Sequence, residues 1–171
     1  MKRPTSVTVF GILNIVFAVI GLFGLVASIV MMKMPASSNN PVVRIMQENQ
    51  ALATWVKISI PLGLLSCGAL LAAGIGLLFL KPWARVLSIA YGFYSIAFGI
   101  LGIVLNFLFL FRPLLEEARQ QNGPEAAGAI GGAIGGTFGG CFGLIYPVVL
   151  LIFMCRPAIA SAFRPPPLPQ V

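Results

Sequence analysis

An all-α fold of four membrane-crossing helices is what this sequence predicts, on three observations. Four runs, Pro4 to Met32, Ile58 to Leu80, Val86 to Phe111 and Ala126 to Cys155, contain no Lys, Arg, Asp, Glu or His. Each exceeds the ~20 apolar residues that a helix needs to cross the hydrocarbon core. Only 9% of the 171 residues are charged and the mean hydropathy is +0.99. A soluble domain carries about 25% charge and would have too little here to cover its surface. The expected organisation is a four-helix transmembrane domain over residues 1–164, with spans near 7–32, 57–80, 85–111 and 128–155. A disordered proline-rich tail is expected over 165–171.

The first run follows Met1-Lys2-Arg3. A signal peptide starts the same way, but its apolar core is usually about 7–15 residues long. The longer run here, with the poor cleavage site Leu25-Val26-Ala27, reads as an uncleaved anchor. The loop after it, Met34-Pro35-Ala36-Ser37-Ser38-Asn39-Asn40-Pro41, is turn-rich. Val42 to Trp55 then forms a lead-in helix that lies on the interface or extends the second span. The second and third runs are joined by the short basic turn Lys81-Pro82-Trp83-Ala84-Arg85. Arg112 to Gly123 reads as a short solvated helix, with Pro113 near its start and Gly123 at its end. The tail, Arg164-Pro165-Pro166-Pro167-Leu168-Pro169, can only be extended.

The fourth run carries an interleaved glycine zipper: Gly128, Gly132, Gly136 and Gly140 form one ladder, Gly131, Gly135, Gly139 and Gly143 the other. Four-residue spacing of small residues lets two backbones approach in a right-handed crossing. The face serves packing within one bundle or contact between copies. Lesser stripes run through Gly11, Asn14, Ala18, Gly21 and Ser28, through Gly68, Ala72 and Gly76, and through Ser88, Gly92, Ser95, Gly99, Gly102 and Asn106. Asn14 and Asn106 are the candidate interhelical polar residues. An internal repeat is also suggested. At an offset of 78 residues, Arg3-Pro4 falls on Lys81-Pro82, Gly21 on Gly99, Gly24 on Gly102 and Ser28 on Asn106. At an offset of 75, Lys81-Pro82 falls on Arg156-Pro157. Two parallel helical hairpins would produce this pattern, as would chance matching in so biased a composition.

The chemistry expected is sparse. There is no histidine, no ionisable residue inside a run, no nucleophile–base pair and no phosphate loop. Cys67, Cys141 and Cys155 sit within or at the end of apolar runs, away from the outer loops. No catalytic, cofactor-binding or metal-ligating residue is therefore expected. The formal charge of +7 reflects Lys and Arg at span ends, facing lipid head groups, so nucleic acid is not an expected partner. The expected partners are the bilayer and either further copies or another membrane protein. Two functions remain open. One is a non-catalytic protein of assembly, scaffolding or accessory type. The other is a small transport or channel subunit that oligomerises through the fourth helix.

The entry Arg3-Pro4-Thr5-Ser6-Val7-Thr8 and the turn Lys81-Pro82-Trp83-Ala84-Arg85 resemble those of small uncharacterised bacterial four-span membrane proteins. The resemblance covers about a fifth of the chain and is confined to membrane-boundary motifs. It implies a four-helix fold in the bacterial inner membrane and brings no activity.

The short basic turn places residues 81–85 and both termini in the cytoplasm, with all four acids on the outer side. Single cysteines at Ser38, Gln121 and Ser161, in a chain lacking native Cys, test this. An impermeant thiol reagent on intact cells should label positions 38 and 121 and spare 161. The reverse pattern would invert the topology.

Overall fold

The computed structural model describes residues 5–35, 41–120, 124–157, 159 and 163. The entry Arg3-Pro4 and the tail 165–171 lie outside them. The described residues form α1 (Thr5–Lys33), α2 (Pro41–Glu48), α3 (Gln50–Leu78), α4 (Pro82–Asn106), a π-helical turn (Phe107–Phe111), α5 (Arg112–Gln120) and α6 (Pro124–Met154), with no strand among them. Three helical stretches are long and apolar enough to cross a membrane: Thr5–Lys33, Gln50–Leu78 and Pro82–Glu116. A shorter apolar stretch, Gly139–Met154, lies within α6. At ~1.5 Å per residue even 29 residues reach roughly 44 Å, well beyond a ~30 Å hydrocarbon core.

The lead-in to the second span is two helices. Asn49 breaks them: its backbone is extended and its side-chain oxygen accepts from the Leu52 amide at 3.1 Å, capping α3. The third span leaves through the π-turn directly into α5. There Leu114 is fully buried against Ile45 and Leu52, so α5 is anchored and not wholly solvated.

The α3–α4 turn is held by its own backbone. The Lys81 amide donates to the Gly76 carbonyl at 2.9 Å and the Leu80 amide to Leu77 at 3.0 Å. This is a Schellman closure, which normally has glycine at the left-handed position. Here that position is Leu80, at φ 53. A left-handed non-glycine residue costs roughly 1–2 kcal/mol. The Leu80 side chain offsets part of that by packing on the buried cluster around Leu77, Ala84, Leu150 and Met154. Pro82 then opens α4, where a missing amide N–H costs nothing.

Helix α1 packs along α3, α4 along α6, and α3 along α4. Between α1 and α6 the contact is made by long rings: Phe10 on Phe153 at 5.0 Å and Phe17 on Tyr146 at 4.2 Å between centroids. Over much of their length the helices meet through small residues. A Cβ on Gly74 would lie 2.8 Å from the Gly11 carbonyl oxygen, and one on Gly11 3.2 Å from that of Gly74. Gly92 takes the Leu151 side chain and Gly99 that of Leu144. Large apolar side chains point away from the protein, with Phe23 72% and Leu65 71% exposed. Small-inside, large-outside is the arrangement expected when the solvent is hydrocarbon.

On α3 the face used only partly follows the expected stripe of Gly68, Ala72 and Gly76. Leu70, Ala73, Gly74, Gly76 and Leu77 are buried, and Gly68 faces open space. Gly76 is covered by Trp83 and Ala84 of the turn. The partner α1 selects this face, because Gly11 needs a glycine opposite it.

Several positions related by the 78-residue offset act alike. Ser28 donates to the Gly24 carbonyl at 3.0 Å and Asn106 to that of Gly102 at 2.8 Å. Gly21 and Gly99 each receive a side chain from the next long helix, Cys67 and Leu144 respectively. At the 75-residue offset, the Lys81 carbonyl accepts from Ala84 and the Arg156 carbonyl from Ile159.

The two α3 glycines give a controlled comparison. Gly74→Ala should lower stability in detergent by about 1–3 kcal/mol, because a backbone carbonyl cannot yield to the new methyl. Gly68→Ala should be neutral or stabilising by up to about 1 kcal/mol, since alanine favours helix and nothing is displaced. Equal melting temperatures for the two variants would show that Gly11 and Gly74 are not in close contact.

Candidate functional site

Two features on α6 stand out: a buried polar knot at its C-terminal half and an uncovered glycine face before it. The knot starts from Asn14, on the same α1 face as Val7, Phe10, Gly11 and Ala18, and fully buried. The Tyr146 hydroxyl of α6 donates to Asn14 Oδ1. Asn14 Nδ2 lies 3.5 Å from Ser88 Oγ of α4, at the limit for donation. Ser88 Oγ donates to the Ala84 carbonyl at 2.9 Å. The donors run in one direction, α6 to α1 to α4, so these side chains satisfy one another without water. A few residues away, Arg85 Nε donates to the Met154 carbonyl at 2.9 Å and caps the end of α6. Arg156 lies over the Phe153 ring at 4.6 Å.

The knot contains no carboxylate, imidazole, thiol or ammonium. What it can do chemically is hold three helices in register. Among the described residues no group of three His, Cys, Asp or Glu is placed to hold a metal ion. Asn106 is placed differently from Asn14, since its amide is used within its own helix on Gly102. In the sequence Ser88 stands as a member of a small-residue stripe. Its convergence with Tyr146 on Asn14 is not legible there, because it depends on which faces meet.

The zipper glycines separate into two environments. Gly140 faces α4, where a Cβ would lie 3.0 Å from Ile103 Cγ1. Gly131, Gly135, Gly139 and Gly143 are exposed, and a Cβ on any of them would meet nothing within 4 Å; Gly128 is the same. Gly132 and Gly136 belong to α6, but their surroundings lie outside the described residues. The open ladder continues as Gly139, Gly143, Tyr146 and Leu150, spaced four, three and four. One seam therefore runs along α6. Its C-terminal half meets α1 through Tyr146, and Leu150 belongs to the buried cluster with Phe10. Along its N-terminal half, among the described residues, Gly131, Gly135, Gly139 and Gly143 face open space.

A double-mutant cycle on Asn14→Ala and Tyr146→Phe measures the knot. Tyr146→Phe keeps the ring on Phe17 and removes only the hydroxyl. The coupling should be about 0.6 kcal/mol, and up to ~1.7 kcal/mol if the bond is well desolvated. Strictly additive losses would show that the bond holds nothing.

The chain matches none of the family models, curated proteins or solved structures with which it was compared.

Proposed function

We propose that this chain is a four-helix transmembrane protein of the bacterial inner membrane, both termini cytoplasmic, with a non-catalytic role in assembly. Its helices pair as two parallel hairpins, α1 with α3 and α4 with α6. The matched hydrogen bonds of Ser28 and Asn106 and the matched glycines Gly21 and Gly99 support that reading. One observation carries the assembly role: four glycines spaced as a close-packing ladder have no helix against them. Glycine is a poor helix former, costing roughly 1 kcal/mol per residue relative to alanine. A bare ladder gives up that stability for nothing, whereas another helix seated on it gains backbone-close packing. The face is the continuation of the α1–α6 seam. A helix from a second copy or from another membrane protein completes the packing beyond Phe17.

Leucine substitutions test this. Gly135→Leu and Gly139→Leu add side chains into open space and should leave the monomer fold and its melting temperature intact. They should also dissociate the native assembly on size-exclusion columns in mild detergent. Gly140→Leu meets Ile103 and should lower the melting temperature itself. If neither ladder variant changes the assembly, the glycine face is not an interface and the proposal fails. Ion flux in liposomes that tracks the oligomer would replace the scaffold reading with that of a channel subunit.

A further inference from the structure

A second site lies at the end of the molecule opposite the Lys81 turn. There the first turns of α3 and the end of α4 bound an open groove of about 1010 Å³. This is near the top of the ~300–1,000 Å³ typical of ligand sites. One wall is α3, with Gln50, Ala51, Thr54, Trp55 and Ile58. The other is Leu105, Phe109 and Pro113. On an α-helix, residues four apart drift around the axis, because four residues make more than one ~3.6-residue turn. The π-turn from Phe107 to Phe111 winds more slowly and offsets that drift, so these three line one wall. Trp55 is held rigidly at the apolar end, stacked on Phe98 at 4.9 Å, which stacks on Tyr94 at 5.4 Å.

The charged side chain that lines this groove is an acid, in a chain rich in cations. The chain has 11 cations and 4 acids. Among the described lining residues the one charged group is Glu48. Lys57 lines a different recess, with Met31, Met32 and Met46. Beside Glu48 the N-terminus of the 29-residue α3 opens onto the groove at Gln50 and Ala51. A helix N-terminus favours an anionic group such as phosphate. A carboxylate favours a cation. The Thr54 hydroxyl donates to the Gln50 carbonyl at 2.8 Å, which leaves its lone pairs free to accept.

We propose that this groove binds one amine-bearing zwitterionic phospholipid of the phosphatidylethanolamine class. The phosphate sits at the α3 N-terminus and the ammonium on Glu48. An acyl chain lies along Ile58, Leu105 and Phe109 toward the Trp55 ring. Phosphatidylglycerol would offer the phosphate without a cation, and phosphatidylcholine a cation without N–H donors. The site is independent of the glycine face, and either stands if the other falls.

Trp55 is the reporter. The chain has two tryptophans, and Trp83 lies half-exposed at the far end. Full-length Trp83→Phe protein is reconstituted in vesicles in which one lipid class carries dibrominated acyl chains, which quench Trp55 on contact. Phosphatidylethanolamine, phosphatidylcholine and phosphatidylglycerol are brominated in turn at equal mole fraction. Brominated phosphatidylethanolamine should bind in preference to the other two by roughly two- to fivefold, the scale of one such charge contact. Glu48→Gln should abolish the preference, and Glu48→Lys should shift it toward phosphatidylglycerol. Glu48 is exposed, and unchanged melting temperatures would confirm that both variants fold. Quenching in proportion to mole fraction would mean ordinary annular lipid and overturn the proposal. So would preference for phosphatidylglycerol in the unsubstituted protein, or a preference that survives Glu48→Gln.

Discussion

The approach of Gly11 to Gly74 is the contact on which much of the structure depends. In lipid, burying an apolar side chain against another helix gains little, because hydrocarbon is already an apolar solvent. What remains is van der Waals contact, and that rewards backbones brought close. Glycine on both sides puts α1 and α3 within reach of each other's carbonyls. This contact fixes which face α1 presents. Asn14 lies one turn on from Gly11, and its side chain is carried inward with it, where it is fully buried.

A buried amide in a low-dielectric interior needs partners, since an unsatisfied polar group there costs several kcal/mol by the usual transfer measures. Tyr146 and Ser88 supply them from two other helices. The knot therefore does for α4 and α6 what the glycine pair does for α1 and α3. Arg85 adds a tie of another kind, joining the start of α4 to the end of α6. At the end of the molecule near the Lys81 turn, Val7, Leu77, Leu150 and Met154 are wholly buried. Toward the other end a second buried cluster forms around Ile45, Leu52 and Leu114. The bare half of the α6 seam and the groove beside Trp55 both lie on that side.

The interruptions follow the same division. The Schellman turn with Leu80 closes α3 between Gly76 and Lys81, and its left-handed leucine is held by the cluster it joins. At the opposite end Asn49 ends α2 and caps α3, whereas the π-turn carries α4 into α5 without ending the helix. A π-turn adds a residue to one turn, so it shifts which side chains line a wall while the backbone stays hydrogen-bonded. That suits a segment at the edge of a bilayer, where open backbone is costly.

The sequence by itself determined the helical class and the sharp basic turn at residues 81–85, and of the four spans it predicts, three long apolar helices and a shorter apolar stretch within α6 stand among the described residues. Each follows from short-range physics: hydrocarbon forbids unpaired backbone, charge is kept out of the runs, and proline starts a helix. It also marked Asn14 and Asn106 as candidate interhelical polar residues and the glycine ladders as a packing face. Only the tertiary structure decided which small residues meet. It chose Gly74 over Gly68, directed Asn14 across helices while Asn106 stayed on its own, and set Gly140 against Ile103 with Gly131, Gly135, Gly139 and Gly143 bare. Helices of this kind carry small residues on several sides, and their amphipathic signal is weak because every side is apolar. Which face is used depends on the partner's shape, and that information is distributed over residues far apart in the chain.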